Sequence, residues 1–537
     1  MKELIVILAI AGLTFRLAKP IALRFSADAD FLRRRNVWFA LTIIAFLSPN
    51  FWIFALFAVP IYVWMGRKDS NPIAAYLLLL HVVPPVSADL PAIGVGQLFS
   101  LDNYRLLSFC ILIPVALRAR RSIDRDRTAR SRTTDLLLLA FIVVQCAGFV
   151  PPDLPNHVIL QDSPTNLLRR AFLDFVDILV LYYAASRSCN DRRKIVDAEA
   201  AFCLSSGIMA LVATFEHFKG WLLYTQLAVH WDPTDANYLM SWLLRGDSWL
   251  RAQASAGHAL SLGFLLAIAF GFWLYLQSRA AALRMRLAIG IVFWLGMVAT
   301  YSRGPWIGAV LMYLAYSALK PRAISRLFKA GFLMAIVLGL VSLSPTGEKM
   351  MTSLHVMGGQ PDADFLYRQR LLDRSLELIR AHPIFGDQLA MQEMEDLRQG
   401  QGIIDIVNTY IGVLLFHGWL GLVLFLGFVL SAIMGVLRAA KAAISTDADW
   451  ALLGFNISAC VIGILFMLAD CSLIFGAEKM FYLLIALAAA YARRGKQFTS
   501  DIPAPQPVRL SEPRPRNGAK AIPASSGTSR RSQKQQA

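Results

Sequence analysis

Two arginines lie directly beside apolar stretches of this sequence, at positions where a charge is costly. Arg251 precedes one apolar run, and Arg303 follows Ser302 in a short turn between two further runs. A guanidinium group carries five N–H donors in a planar fork that matches the oxygens of a phosphate. A tight turn between two apolar helices has little structural need for a charge. Arg303 is therefore the strongest candidate for a chemical role, and several such groups in one cavity would suit a diphosphate.

Two more arginines, Arg368 and Arg370, begin a polar segment with a helical pattern of apolar residues that continues to Ile379. Taken singly, each arginine is explained more simply by a surface ion pair or by a long side chain that carries its charge to the membrane surface. The chemical interpretation requires these residues to meet on one side of a membrane. It therefore depends on the elements that carry them.

The composition indicates a membrane protein. Of the 537 residues, 56% are hydrophobic and 17% are charged, whereas soluble domains have about 25% charged residues. The apolar residues form runs of roughly 16–22 residues, long enough for a helix to cross the hydrocarbon core. Backbone groups in lipid must pair within their own segment, so these runs predict helices. We predict an all-α, polytopic membrane helical bundle of about 14 transmembrane helices with a small periplasmic helical cap.

Basic loops predict which side each segment faces. Clusters of Lys and Arg such as 33–35, 118–132, 279–286 and 320–329 favour the cytoplasm. The net charge of +17 is spread over such clusters, so nucleic acid is not an expected partner. The segments between them then face outward, and the longest of these is residues 345–408.

The domain organisation follows from the same pattern. We predict a transmembrane domain over residues 1–496, with the periplasmic loop 345–408 as part of it. Residues 497–537 are rich in Pro, Ser, Gln and Arg and predict a disordered cytoplasmic tail. The long run 37–65 contains Ser48-Pro49-Asn50, a combination that favours a turn, so we predict two helices in a hairpin there.

Three short motifs, in this order, resemble the O-antigen ligase and Wzy-type polysaccharide polymerase superfamily. The first is the Ser-Arg-Gly turn at 302–304. The second is a helix that begins with Arg368 and ends in the His-Pro-Ile-Phe-Gly sequence at 382–386. The third is Asn408, two residues before a tyrosine, at the entry to the next apolar run.

The resemblance covers about residues 200–490 and favours the exopolysaccharide-polymerase branch. It implies an enzyme of the bacterial inner membrane that polymerises undecaprenyl-pyrophosphate-linked oligosaccharide repeats on the periplasmic face, for exopolysaccharide or O-antigen. Besides this donor and membrane lipids, the implied partners are a flippase and a chain-length regulator of a polysaccharide export system. The donor is already activated, so the scheme requires neither a metal nor another cofactor.

One position departs from the family pattern. The family usually has a histidine before the asparagine that matches Asn408, and here that position is Val407. Either this branch does without that histidine, or another group replaces it as catalytic base, and the candidates are His258, Asp405 and His382. Each candidate also has a structural explanation. His382 would stabilise a helix C-terminus, His258 would be a structural histidine at a membrane entry, and Asp405 would be a solvated charge in a loop. The candidate catalytic residues are Arg303, His258 and Asp405, and the candidate substrate-binding residues are Arg251, Ser302, Arg368, Arg370 and Asn408.

Further ionisable residues lie within or beside the apolar runs, mostly near the predicted outward ends. They either line one outward cavity or pair locally, as Asp174 would with Arg170 one helical turn away. These residues are Asp174, Asp177, Glu216, His217, Asp470, Glu478 and Lys479.

Other functions stay open. Within the superfamily, the chain could be an O-antigen ligase or a protein O-oligosaccharyltransferase. A secondary transporter or a lipid-linked oligosaccharide flippase is an alternative from another class, although carriers place charge and broken helices near the membrane midplane. The long outward segment 345–408 is unusual for a carrier. A structural scaffold would have no use for outward arginines.

Overall fold

A computed structural model of the protein describes residues 1–92, 96–122, 129–147, 164–231, 244–245, 249–279, 282–320, 323–325, 328, 331, 363–398, 404–473 and 476–500. Helices dominate this part of the chain. The helices before residue 240 are α1 (Lys2–Ala22), α2 (Asp28–Leu47), α3 (Phe51–Lys68), α4 (Pro72–Leu79), α5 (Asn103–Leu107), α6 (Ile113–Ser122), α7 (Ala129–Ala147), α8 (Pro164–Asp174), α9 (Leu181–Ser188), α10 (Arg192–Lys219) and α11 (Thr225–Trp231). The helices after residue 250 are α12 (Ala259–Leu276), α13 (Leu283–Ala299), α14 (Arg303–Leu319), α15 (Ala363–Ala381), α16 (Thr409–Ala443), α17 (Ala448–Met467) and α18 (Gly476–Ser500).

Short irregular helices and two small hairpins complete these elements. π-Helical turns continue α5 into α6 and α8 into α9, at Ser108–Leu112 and Phe175–Val180. Single 3₁₀ segments lie at Ala254–Ala256, Gln277–Arg279 and Gln392–Leu397. Antiparallel pairs form between β1 (Ala88–Ala92) and β2 (Gly96–Leu101), and between β3 (Leu244–Arg245) and β4 (Trp249–Leu250). The hairpins were not predicted, and they are small additions to a helical chain.

The prediction of an all-α membrane protein is confirmed. Among the described helices, α1, α3, α10, α12, α16 and α17 are long and apolar enough to cross a membrane. Helices α13 and α14 are apolar but have only 17 residues each. The count of about 14 spans stays a prediction.

The predicted helical hairpin is also confirmed. Helix α2 ends at Leu47 and α3 begins at Phe51. The side chain of Asn50 caps α3, because its oxygen accepts the N–H of Ile53 at 3.0 Å. The turn therefore forms where Pro49 and Asn50 predict it.

Helix α12 lies at the centre of the bundle. Most of its residues are buried against α10, α13, α14 and α17. The closest approaches occur at glycines: a Cβ at Gly263 would lie 2.9 Å from the Pro305 side chain, and one at Gly271 would lie 2.7 Å from Cys460. Such close packing of small residues is common between membrane helices. It brings the ends of these helices, and hence their loops, side by side.

Several described loops that are predicted on the cytoplasmic side contact one another. Arg34 is buried and donates to Asp69 at 2.7 Å and to Asp197 at 2.8 Å. Arg192 pairs with Asp447 at 3.3 Å at the same set of loops. Removal of one partner from a buried ion pair leaves an uncompensated charge, so these contacts are costly to break.

The sequence from Leu366 to Ile379 predicts a helix, and the structure confirms it as part of α15. Its residues Leu371 and Leu378 pack with Met394 and with Leu415 of α16 in a small core of their own. This core fixes the start of α15, and with it Arg368, above the ends of the membrane helices.

Parts of the predicted loop and tail lie outside the described residues. These are residues 345–362 and 399–403 of the loop and residues 501–537 of the tail. Helix α18 continues to Ser500, so it extends past the predicted boundary at residue 496.

Candidate active site

The turn before α14 carries a strained residue. Tyr301 has a φ of +50°, a left-handed conformation that costs a non-glycine residue about 1–3 kcal/mol. The buried Ser302 hydroxyl donates to the Thr300 carbonyl at 3.2 Å and does not cap the helix. Arg303 is the first residue of α14 and is half-buried. Its side chain and the positive end of the helix dipole therefore lie together.

Arg251 is bound to this turn. Its Nε donates to the Thr300 carbonyl at 3.1 Å, and its terminal NH2 donates to the Ser302 hydroxyl at 3.0 Å. The next residue, Ala252, donates its N–H to the Ala299 carbonyl at 2.9 Å. The backbone of Ala252 and the side chain of Arg251 therefore place the Arg251 guanidinium group against the residues that directly precede Arg303.

Asp470 joins the same turn to the extramembrane helix. Arg368 donates to its carboxylate at 2.6 Å, and both side chains are about one-third exposed. The other carboxylate oxygen lies 2.6 Å from the position that a Cβ at Gly304 would occupy. A glycine is needed there because any side chain would displace Asp470.

The structure therefore brings Arg251, Ser302, Arg303 and Arg368 together. Arg251 contacts Ser302, the residue before Arg303, and Asp470 links Gly304, the residue after it, to Arg368. We call Arg251, Arg303 and Arg368 the arginine cluster.

The segment before α16 lies against the same end of α17. The backbone of Asp405 is held on both sides by Tyr367, whose hydroxyl accepts its N–H at 2.9 Å and donates to its carbonyl at 3.2 Å. Burial raises the pKa of the Cys471 thiol to about 12, and the negative charges of Asp470 and Asp405 act in the same direction. The positive charge of Arg368 opposes them. The charges of Asp405 and Arg368 thus both act at Cys471, the residue after Asp470.

Asn408 has a structural task in addition to any contact with a substrate. Its side-chain oxygen caps α16, because it accepts the N–H groups of Tyr410 at 2.9 Å and Ile411 at 3.2 Å. The oxygen is thus engaged, and the amide nitrogen is the part of Asn408 that a ligand would meet. Val407 is half-buried against the small core around α15. An apolar side chain suits that position.

His258 also caps a helix. Its Nδ1 accepts the N–H of Leu260 at 3.2 Å, at the start of α12. Burial, together with the positive charge of Arg251, lowers the pKa of His258 to about 3. The imidazole is therefore neutral at neutral pH, and such a low pKa makes it a weak general base.

We expect His258→Asn to make stability less sensitive to acid. Asparagine retains the cap and removes a group whose pKa is about 3 in the folded protein and about 6.5 in the unfolded chain. Between these values the unfolded state binds the extra proton, so stability falls as the pH drops from 6.5 towards 3. The Tm in detergent at pH 7.5 and pH 5 measures this.

Between pH 7.5 and pH 5, the Tm of the wild type should fall further than the Tm of His258→Asn. An equal loss in both proteins would show that His258 does not carry the acid sensitivity.

Two candidates do not reach the arginine cluster through the contacts of the described residues. Arg370 is exposed and lies two residues beyond Arg368, which places it on the opposite side of α15. His382 is exposed at the end of that helix. Its N–H bonds to the carbonyl of Leu378 at 3.0 Å, and its own carbonyl accepts the N–H of Gly386 at 3.1 Å.

The His-Pro-Ile-Phe-Gly motif docks against a break in α16. Gly418 has φ +61° and ψ −166°, and this conformation interrupts the helix. The backbone groups that the interruption exposes bond to the motif instead: Trp419 N–H to the Pro383 carbonyl at 2.8 Å and Leu420 N–H to the Ile384 carbonyl at 3.2 Å. A Cβ at Gly418 would lie 2.3 Å from the Ile384 carbonyl oxygen. This part of the family pattern therefore holds α15 in place and lies outside the cluster.

In the sequence, Asp470 is one of several charges near the predicted outward ends. The signal was an aspartate immediately after an apolar run, and nothing in the sequence identified Arg368 as its partner. Local pairing does explain Asp174, which lies 3.3 Å from Arg170 as predicted. Asp177 instead pairs with residues distant in the chain, Lys479 at 2.5 Å and Arg105 at 3.1 Å.

Comparison with known families agrees with the motifs. Residues 288–426 match the family model Wzy_C, described as O-antigen ligase. This range includes Arg303, Arg368 and Asn408, whereas Arg251 and Asp470 lie outside it. No curated protein matches the chain. The matched segment contains all three motifs in their expected order, and the match supports the similarity of this multi-pass membrane protein to the superfamily of O-antigen ligases and Wzy-type polysaccharide polymerases.

Proposed function

We propose that the protein is a polymerase of the bacterial inner membrane. It joins undecaprenyl-pyrophosphate-linked oligosaccharide repeats on the periplasmic face, in the synthesis of exopolysaccharide or O-antigen. The observation that carries the proposal is the arginine cluster, in which three arginines from distant parts of the chain are linked to one turn. Arg251 binds Ser302, and Asp470 links Gly304 to Arg368, while Arg303 lies between these two residues of the turn. Superfamily members act on lipid-linked oligosaccharides, and a diphosphate is the part of such a donor that arginines bind best.

In the proposed reaction, a sugar hydroxyl of the acceptor attacks the anomeric carbon of the donor. The bond between that carbon and the diphosphate oxygen breaks, and the diphosphate leaves on its polyprenyl chain. Negative charge builds on the leaving oxygen, so Arg303 and Arg251 contribute most if they contact this diphosphate in the transition state. Arg368, already paired with Asp470, orients the donor from the extramembrane side.

The hydroxyl proton needs an acceptor. Asp405 is the better candidate, because its backbone is fixed by Tyr367 and its charge, like that of Arg368, acts at Cys471 beside Asp470. His258 is the weaker one, because its pKa is about 3 and its Nδ1 is used as a cap. In this scheme His258 stays neutral and Asp405 takes the proton.

The ligase function remains the second candidate. The family description favours it, since the matched family is that of the O-antigen ligases. Against it, Val407 occupies the position where the family usually has a histidine on which the ligases depend. A protein O-oligosaccharyltransferase would use the same donor and the same arginine cluster with a different acceptor.

A flippase or secondary transporter is less consistent with the positions of the charges. The arginine cluster lies at helix ends and in loops, whereas a carrier needs charge along a path through the midplane. The proposed partners of the system, a flippase and a chain-length regulator, would deliver the donor and set the length of the product.

Loss of the protein tests polymerase against ligase. We expect a deletion strain to accumulate lipid-linked single repeat units and to lack long polymer, because elongation would stop after the first repeat. Lipid extracts analysed by mass spectrometry and gel electrophoresis measure both products. Long chains that remain attached to the lipid carrier would instead identify a ligase and contradict the polymerase assignment.

A further inference from the structure

The end of α10 holds the loop that carries Arg251. Glu216 is 0% exposed, and its carboxylate accepts three backbone N–H groups. Leu223 donates to one oxygen at 3.0 Å, while Gln253 and Ala254 donate to the other at 3.1 and 2.9 Å. A buried carboxylate with three charge-assisted hydrogen bonds is a strong local constraint on the backbone.

The neighbouring His217 reaches the second loop of the site. Its Nδ1 lies 3.0 Å from the Leu250 carbonyl, and its ring lies 5.3 Å from the ring of Tyr301. Two consecutive residues of α10 therefore contact both the loop before α12 and the turn before α14.

Both loops are strained at these contacts. Among the described residues, Ala254 with φ +45° and Tyr301 with φ +50° are the non-glycine residues with positive φ. Such conformations persist only where the surrounding structure fixes them, and they concentrate at functional sites. At Ala254 the fixing contact is the Glu216 carboxylate.

The position of Arg251 depends on the conformation of residues 252–254. Arg251 lies three residues before Ala254, and it reaches the Thr300 carbonyl and the Ser302 hydroxyl from this loop. If residues 252–254 relaxed, the guanidinium group would move away from the turn that carries Arg303.

We propose that Glu216 is a positioning residue, which holds Ala254 in its strained conformation so that Arg251 meets the Arg303 turn. It acts through the backbone and touches no substrate. A carboxylate is required because both of its oxygens accept hydrogen bonds, whereas an amide would direct its NH2 donor either at the N–H of Leu223 or at those of Gln253 and Ala254. The predicted effect on catalysis rests on the proposed function, while the effect on the loop does not.

The first test is the rate of transfer by the purified protein in lipid nanodiscs with a lipid-linked repeat as substrate. Glu216→Gln should lower kcat/KM roughly 10- to 100-fold, because hydrogen bonds to a charged group are lost in the site. A rescue variant separates positioning from general instability. Glycine adopts a positive φ without steric cost, so Glu216→Gln with Ala254→Gly should recover to within about threefold of the wild type.

The matched control is Ala254→Gly alone, which should remain close to wild-type activity. If Glu216→Gln is as active as the wild type, the positioning role is excluded. If the activity of Glu216→Gln is low and the added glycine does not restore it, Glu216 serves the fold in general and the proposal is overturned. Glu216→Asp, which keeps the acceptor-only group on a shorter side chain, should fall between wild type and Glu216→Gln.

A second readout does not depend on activity. Ala252 is 0% exposed, so the thiol of an Ala252→Cys variant should react slowly with a membrane-impermeant maleimide. Adding Glu216→Gln should accelerate labelling at least about tenfold by loosening the loop, and adding Ala254→Gly should slow it again. The protein without the Ala252 substitution serves as the blank for the native cysteines.

The transfer rate and the labelling rate together separate failure of the positioning role from failure of the proposed function. The expected labelling pattern in a protein that catalyses no transfer would overturn the proposed function and leave the positioning role supported. Unchanged labelling after Glu216→Gln would overturn the positioning role, whatever the activity.

Discussion

Replacing Arg303 by alanine should reduce glycosyl transfer roughly 10²- to 10³-fold, the range seen when one preorganised donor to a developing anion is removed. Arg303 opens α14 between the residue that binds Arg251 and the residue that contacts Asp470. No other residue of the cluster occupies the helix end where the dipole adds to the side-chain charge. The effect should therefore exceed that of removing Arg251 or Arg368 singly.

The measurement is polymer length in cells that carry the variant, together with the transfer rate in nanodiscs. Arg398→Ala is the matched control, because this arginine is also outside the apolar helices, is exposed and pairs with Glu395. Arg303→Lys should keep part of the activity, since lysine retains the charge but loses the planar fork. Long polymer in cells with a normally inserted Arg303→Ala protein would refute the role proposed for this residue.

Gly418→Ala should destabilise the protein by about 3 kcal/mol, because the substituted residue would be forced into a conformation that is essentially restricted to glycine. The added Cβ would also lie 2.3 Å from the Ile384 carbonyl oxygen, and backbone cannot move aside as a flexible side chain can. Failure should begin outside the membrane core, at the docking of the His-Pro-Ile-Phe-Gly motif, which supports α15 and Arg368. We expect a lower Tm in detergent and faster proteolysis between α15 and α16.

Gly412→Ala provides the control in the same helix. A Cβ there would approach only the Ile406 side chain, at 3.7 Å, which is an ordinary contact. This variant should match or slightly exceed the wild type in stability, since alanine favours a helix by up to about 1 kcal/mol over glycine. Equal stabilities of the two variants would contradict the account of the junction.

The sequence predicts those structural features that depend on residues close together in the chain. Hydropathy identified a helical membrane protein, Pro49 with Asn50 identified the break between α2 and α3, and the four-residue spacing identified the pair of Arg170 with Asp174. The substrate-binding role of Arg370 stays a prediction, and the helical period places this residue on the opposite side of α15 from Arg368. The motif around Arg368 predicts the same role for Arg368 and Arg370, whereas in the structure it is Arg368 that pairs with Asp470.

The contacts that build the site join residues far apart in the chain. Arg368 and Asp470 are 102 residues apart, and Glu216 and Ala254 are 38 apart. No periodicity links such positions, because their meeting depends on how closely α12, α14 and α17 pack at glycines such as Gly263 and Gly271. The order of residues thus decided which segments are apolar, where they turn and which motifs they carry. Packing alone decided that Asp470 completes the arginine cluster and that a buried glutamate supports it, because hydropathy acts on each segment separately while shape complementarity acts between segments.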